Sequence, residues 1–289
     1  MKIIDAIAQR APFYSLEFFP PRDRTAWPDF FAVVERLRAV NPLFCSVTYG
    51  AGGGTAAGTM EIAARLTGLG FTVMNHLTCV GATPGSICSY LEKLALAGVE
   101  NILALRGDPP AGESVRWEDC PFTYAADLVS FVRREFPSFG IGVAAYLTPH
   151  PESPSFAGDR LHTAMKIKAG SDFAVTQLFF DSREYFEYVE QLRRLGVTKP
   201  ILPGVLPVQS MDLLRRVLRL SGCNIPAKLY LALEEADRKG GAEAVREAGA
   251  AHAVEQIRQL IAGGAPGVHL YTLNKAELCL RIAEQVGPL

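Results

Sequence analysis

Short apolar runs alternate with segments of helical periodicity from one end of the chain to the other. Runs rich in branched and aromatic residues predict strands at 14–18, 44–48, 72–77, 101–105, 141–146, 173–179, 201–205 and 268–271. Between them, apolar residues recur at helical spacing, as with Phe30, Phe31, Val34 and Leu37 in a helix predicted over 27–39. Further helices are predicted over 59–69, 84–97, 123–136, 159–169, 182–195, 211–220, 226–262 and 275–286. Thr83-Pro84 supplies an N-cap followed by proline at the first helical position, and Gly240-Gly241 breaks the 226–262 segment.

Eight strands separated by helices, each strand apolar nearly throughout, suit a buried parallel sheet. The count predicts an α/β fold, an eight-stranded parallel β/α (TIM) barrel, rather than an open doubly wound sheet. No G-x-G-x-x-G follows the first strand, which weighs against a Rossmann arrangement. The length of 289 residues is close to the ~250 of such a barrel. No low-complexity linker divides the chain, so one domain over 1–289 is expected.

Composition narrows the function. Lys+Arg is 29 against 30 Asp+Glu, a net charge of −1, which gives no basic excess for nucleic acid or an anionic membrane. No apolar run reaches the ~18 residues of a membrane span, and the opening MKIIDAIAQR carries Asp5 and Arg10, unlike a secretory signal. The six cysteines form no C-x-x-C pair, as expected for thiols of a reducing, cytoplasmic compartment. No H-x-H or H-E-x-x-H spacing exists, and no metal is expected.

Chemistry in a β/α barrel collects at the C-terminal strand ends. The polar residues there are Glu17, Thr48 with Tyr49, His76, Arg106 with Asp108, Tyr146, Gln177 with Asp181, and Tyr271 with Asn274. Glu17 lies among aromatics, where desolvation raises a carboxyl above its usual ~4.3 and suits it to general acid work. The competing reading pairs it with Arg22 or Arg24. Arg106-Gly107-Asp108 offers opposite charges around a close backbone approach, or a simple turn salt bridge. The Gly50-Ala51-Gly52-Gly53-Gly54 loop could cradle phosphate but lacks the Lys-Ser/Thr ending of a P-loop. His76 and His150 each read as structural or as hydrogen-bond donors to a cofactor. Lys166 and Lys168 read first as a solvated helix face. Neither sits at a strand end, so no Schiff-base nucleophile is evident.

Taken together, Ser15-Leu16-Glu17-Phe18-Phe19-Pro20-Pro21-Arg22, Ser46-Val47-Thr48-Tyr49-Gly50-Ala51, His76-Leu77-Thr78-Cys79 and Ala104-Leu105-Arg106-Gly107-Asp108 resemble motifs of the methylenetetrahydrofolate reductases. So do Thr176 to Asp181, Pro203 to Val208 and Tyr271 to Lys275, in the same order. The resemblance covers about residues 12–288 and implies an eight-stranded β/α barrel. It implies FAD as cofactor, taking hydride from NAD(P)H and passing it to 5,10-methylenetetrahydrofolate in a ping-pong scheme. By that resemblance Glu17 is the general acid, and Asp108 tunes the flavin and orients the pterin. Thr48, Tyr49, Ala51, His76, Arg106, Gly107, Asp108, Ala125, Tyr146, His150, Asp159, His162 and Lys166 match or adjoin cofactor positions. Gln177, Met211, Tyr271 and Lys275 match substrate positions. A homo-oligomer of the short bacterial form, without a regulatory domain, is expected.

Departures from the family pattern include Gly54 to Gly58 in a loop that commonly carries charge and Leu147-Thr148 before His150. Others are His162 for asparagine, Met211 for a stacking aromatic and Lys275 for arginine. Two rival readings follow. One is the same flavoprotein acting chiefly as a 5-methyltetrahydrofolate oxidase. The other is a flavin-free partner-binding subunit.

Overall fold

Side chains of a strand alternate between its two faces, and in a closed barrel those faces meet two different cores. The computed structural model describes residues 1–49, 56–109, 115–149, 153 and 155–289, and shows this arrangement. Strands β1 (Tyr14–Phe18), β2 (Phe44–Val47), β3 (Val73–Thr78), β4 (Asn101–Leu105), β5 (Gly140–Ala145), β6 (Phe173–Leu178), β7 (Ile201–Val205) and β8 (Val268–Tyr271) pair in sequence order. All pairs are parallel, and β8 closes on β1 with Ser15 opposite His269 and Glu17 opposite Tyr271. The fold is the β/α barrel that the strand count predicts.

Leu16, Phe18, Cys45, Val47, Ile102, Ala104, Val143 and Leu270 face outward into a core shared with the helices. Phe13, Phe44, Met74, Leu103, Phe173, Val175 and Leu202 form a separate core inside the barrel. The surrounding helices are α2 (Trp27–Leu37), α3 (Ala56–Gly68), α4 (Pro84–Leu96), α5 (Ala125–Glu135), α6 (Phe156–Lys168), α7 (Ser182–Arg194), α8 (Met211–Ser221), α9 (Ala227–Ala262) and α10 (Ala276–Val286). Thr83 caps α4 in a reciprocal box with Ser86. The α9 helix is broken where Gly240 and Gly241 leave helical geometry, Gly241 at φ +60°. Its first half packs with α8 on a third apolar cluster around Phe180, Val208, Met211 and Leu214.

One element is absent from the sequence expectations. Helix α1 (Ile3–Gln9) precedes the barrel, and its Ile3 and Ile7 join the inner core. At seven residues it is too short to declare itself by periodicity, and its stability comes from that packing. It is tied to the start of β4. Asn101 is buried, its Oδ1 accepts from the Ile3 amide at 2.9 Å, and its Nδ2 donates to the Met1 carbonyl at 3.0 Å. The helix thereby stoppers the N-terminal end of the barrel. Among the described residues, no helix is long and apolar enough to cross a membrane. All six cysteines are unbridged.

Asn101→Ala removes both ties and leaves the Ile3 amide without its partner. A loss of about 1–3 kcal/mol in urea unfolding, with faster proteolysis of the N-terminal segment, is expected. Unchanged stability would show that α1 is held by its apolar face alone.

Candidate active site

Glu17 stands on β1 with its side chain on the inner face, at the C-terminal mouth of the barrel. It is 6% exposed. Three neighbouring strands supply its surroundings. The Ser46 hydroxyl donates to Glu17 Oε2 at 3.3 Å, His269 Nε2 lies 3.5 Å from the same oxygen, and His76 Nε2 also lies at 3.5 Å. His269 is buried, with Nδ1 2.8 Å from Ser15 Oγ, itself 3.3 Å from the Val268 carbonyl. Behind the carboxyl, Thr272 Oγ1 donates to the Glu17 carbonyl at 2.6 Å. The Asn274 side chain bridges the Phe19 amide and carbonyl, binding the β8 turn to the chain after β1. That turn holds Leu273 and Asn274 at positive φ.

The electrostatics correct the expectation for Glu17. Burial pushes its pKa up, but the His269 hydrogen bond, the nearby imidazoles and the Ser46 hydroxyl outweigh it and hold the carboxyl below the usual range. His76 is driven the other way, from its ordinary 6.5 to about 4, chiefly by burial. It is therefore neutral above about pH 4, and at neutral pH His269 and Ser46 carry the hold on the carboxylate. The alternative pairing with Arg24 does not occur, since Arg24 binds Glu61 at 2.5 Å.

A second group of residues lines the mouth beyond β4 and β5. The Arg106 carbonyl accepts from the Val80 amide at 2.9 Å and the Cys79 amide at 3.2 Å. Gly107, at φ +82°, lies so close to this loop that a Cβ would stand 2.7 Å from Val80 Cγ1. Glycine is required there by both conformation and space. Tyr146 follows β5, and its hydroxyl is held protonated by burial and by the charges of Asp108 and Asp159, against Arg106. Lys166 on α6 extends back to the Ala144 carbonyl and lies 5.7 Å from the Tyr146 ring. It is not on a solvated face: burial lowers its pKa to about 8, with buried Asp159 opposing the shift. Ala125 opens α5, and the exposed His162 stacks on Tyr124. Asp108 is exposed.

These residues suit a cofactor with an anionic diphosphate and a polar ring. Arg106 and Lys166 supply cationic charge on one side. On the other, Thr48 Oγ1 is buried without a hydrogen-bond partner, which a ring heteroatom would satisfy, and His76 Nε2 has only its 3.5 Å approach to Glu17. Tyr49 lies beside them, edge-on to Tyr90. Ala51, His150 and the glycine-rich loop lie outside the described residues.

Of the substrate candidates, Tyr271 reaches across the mouth. Its hydroxyl donates to the Thr176 carbonyl at 2.8 Å over Gly204, where a Cβ would meet the Tyr271 ring at 2.6 Å. Gln177, partly buried, receives the Leu178 amide on Oε1. Lys275 is exposed at the N-cap of α10. Met211 packs in the α8–α9 apolar cluster, 3% exposed, away from the Glu17 cluster. Among the described residues no group of three His, Cys, Asp or Glu side chains is arranged to hold a metal ion. Strand-end reading missed His269, Ser15 and Ser46. Each lies two residues before a residue it did find, Tyr271, Glu17 and Thr48, so inward parity would have exposed them.

The unfolded chain protonates His76 near 6.5, but the folded protein does so only near 4. Folding therefore loses stability as pH falls through that window, by up to about 3 kcal/mol from this residue. The lowered Glu17 acts in the same direction at more acid pH. Urea midpoints measured across this range should fall in the parent and flatten in His76→Gln. An equal fall in both would show that His76 titrates normally.

The family model described as methylenetetrahydrofolate reductase matches residues 2–287. The chain is 36% identical over 304 residues to methylenetetrahydrofolate reductase (NADH) 1 of Arabidopsis thaliana, covering 99% of this chain and 51% of that one. It is 34% identical over 274 residues to 5,10-methylenetetrahydrofolate reductase of Escherichia coli, covering 94% and 90%. The chain thus spans about half the length of the plant relatives and most of the bacterial one. A Clostridium thermocellum protein whose structure is described as binding two copies of 5-methyl-5,6,7,8-tetrahydrofolic acid superposes at a TM-score of 0.66. That match covers 98% of this chain and 97% of the other at 13% identity, a likeness of fold. With a family model matched from end to end and a bacterial relative covered over most of its length, the chain belongs to the methylenetetrahydrofolate reductase family.

Proposed function

We propose that this barrel is a catalytic domain that reduces 5,10-methylenetetrahydrofolate to 5-methyltetrahydrofolate with FAD and NAD(P)H. The observation that carries the reading is Glu17, a carboxylate enclosed in the mouth and approached by Ser46, His269 and His76, with the unsatisfied buried hydroxyl of Thr48 in the same mouth. When bound, FAD would supply the ping-pong hydride chemistry, receiving hydride from the nicotinamide and delivering it to the folate.

The chain's own residues supply positioning and proton transfer. Glu17 rests ionised and needs a proton before it can act as the folate's acid. His269 can bring one, because its partners suit both of its states. As a cation it donates through Nδ1 to Ser15, whose own hydrogen turns to the Val268 carbonyl. Once its Nε2 proton has passed to Glu17, the neutral ring keeps Nδ1–H and goes on donating to Ser15. A folate ring closing the mouth would strip water from Glu17, raise its proton affinity and favour transfer from the imidazole. Tyr271, protonated and fixed on Thr176, shapes the floor beside Glu17. Asp108 and Gln177 are assigned to orienting the pterin. Arg106 and Lys166 are assigned to the diphosphate. A buried lysine whose charge is weakened by desolvation gains most from an anionic partner, and this favours the cofactor-binding reading over a flavin-free one.

Glu17→Gln should slow the folate half-reaction about 10²–10⁴-fold while leaving the bleaching of flavin by NADH within a few-fold of the parent. Stopped-flow absorbance of each half-reaction separates the two, and equal loss in both would remove Glu17 from the acid role. Lys166 carries its charge below about pH 8 and loses it above, so FAD affinity should fall as pH rises through that value. Lys166→Ala should bind FAD more weakly at neutral pH and show no such step. A parent titration flat across this range would take Lys166 out of the cofactor site.

A further inference from the structure

We propose that Trp117 is a positioning residue for the cofactor's diphosphate, acting through Arg106; the proposal rests on the FAD reading above. The Arg106 guanidinium carbon lies 4.5 Å from the centre of the Trp117 ring. A guanidinium stacked on an aromatic face keeps its in-plane N–H donors for a planar or tetrahedral anion, and the ring shields one face from water.

The surrounding structure shows why such a support is needed. The backbone of Arg106 and Gly107 is fixed against the loop after β3 by two hydrogen bonds and by the close approach of Gly107 to Val80 and Thr78. That fixes the Cα of Arg106, and the stacked indole adds a restraint on the rotamers of its long side chain. Trp117 restricts them before binding. The tryptophan is itself anchored. It begins a 3₁₀ turn, Trp117–Asp119, and its carbonyl accepts from the Cys120 amide and from Thr123 Oγ1. The Thr123 and Tyr124 amides both donate to Asp127 in the first turn of α5. One connected segment therefore joins Trp117 to the start of α5 at Ala125, itself a candidate cofactor position by the family resemblance. Nothing about the strand ends identifies Trp117, because it lies in the connection between β4 and α5.

The chain has two tryptophans, so Trp27→Phe makes Trp117 the sole indole reporter. In that background, the flavin-stripped full chain is titrated with FAD while indole and flavin emission are followed. Trp117 emission should be quenched in step with FAD uptake. Trp117→Ala should weaken FAD binding about 3- to 30-fold, and Trp117→Phe should restore it to within about threefold, since a smaller aromatic face remains. In an Arg106→Ala background, Trp117→Ala should add less than about twofold, because the residue it supports is gone. A Trp117→Ala chain that binds FAD like its parent, or one whose loss is equal with and without Arg106, overturns the inference and leaves the cofactor reading intact. A parent chain that takes up no FAD overturns both.

Discussion

An ionised carboxylate closed inside a barrel must be matched by donors, or its burial would cost far more than the fold can supply. Glu17 is in that position, and the polar interior around it is arranged to match it. Ser46 from β2, His76 from β3 and His269 from β8 approach a single oxygen. Ser15 and the Val268 carbonyl stand behind His269. The parallel register of β8 on β1 sets His269 opposite Ser15, one inward position below Glu17, so that its ring spans from the Ser15 hydroxyl up to the carboxylate. Breaking that closure would leave a buried charge without its partners. The environment of the Glu17 carboxylate and the integrity of the barrel seam therefore share the same contacts.

The two ends of the barrel are treated oppositely. At the N-terminal end, Ile3 and Ile7 of α1 complete an apolar core built on Phe13, Phe44, Met74 and Phe173. At the C-terminal end the inward positions turn polar, with Glu17, Thr48, His76, Tyr146, Gln177 and Tyr271 in succession around the mouth. A packed floor beneath a polar mouth gives Glu17 a rigid base and a low-dielectric surround, where hydrogen bonds and charges have larger effects than in water. Gly204 belongs to the same design, since its missing Cβ is the space in which the Tyr271 ring lies.

The cationic side of the mouth solves a different problem. Arg106 and Lys166 are long side chains that, in the proposed cofactor site, would present charge to one place. Each is restrained by an aromatic neighbour, Trp117 and Tyr146, and by its own surroundings: a fixed turn for Arg106, the Ala144 carbonyl and Asp159 for Lys166. Glu17 on β1, Arg106 after β4 and Lys166 on α6 thus stand around one opening. That placement suits a ligand with a ring at one end and an anion at the other.

The eight strands, the helices between them, the Gly240-Gly241 break and the polar strand ends were legible in the sequence. Buried parallel strands must be apolar runs, helices must show their period, and a barrel places chemistry at strand ends. The ordered motifs also identified the family. Helix α1 was not legible, because seven residues carry too little pattern and its stability is supplied by the floor it covers. The partnership of His269 with Ser15 and Glu17 was hidden by more than 250 residues of intervening chain. The direction of the Glu17 shift depended on whether burial or its hydrogen-bonding neighbours prevailed, and the buried state of Lys166 on what α6 packs against. The sequence determines local periodicity and the inventory of chemical groups, since both are properties of neighbouring residues. Only the tertiary structure decides which distant groups share a low-dielectric space, and the charge state of each follows from that company.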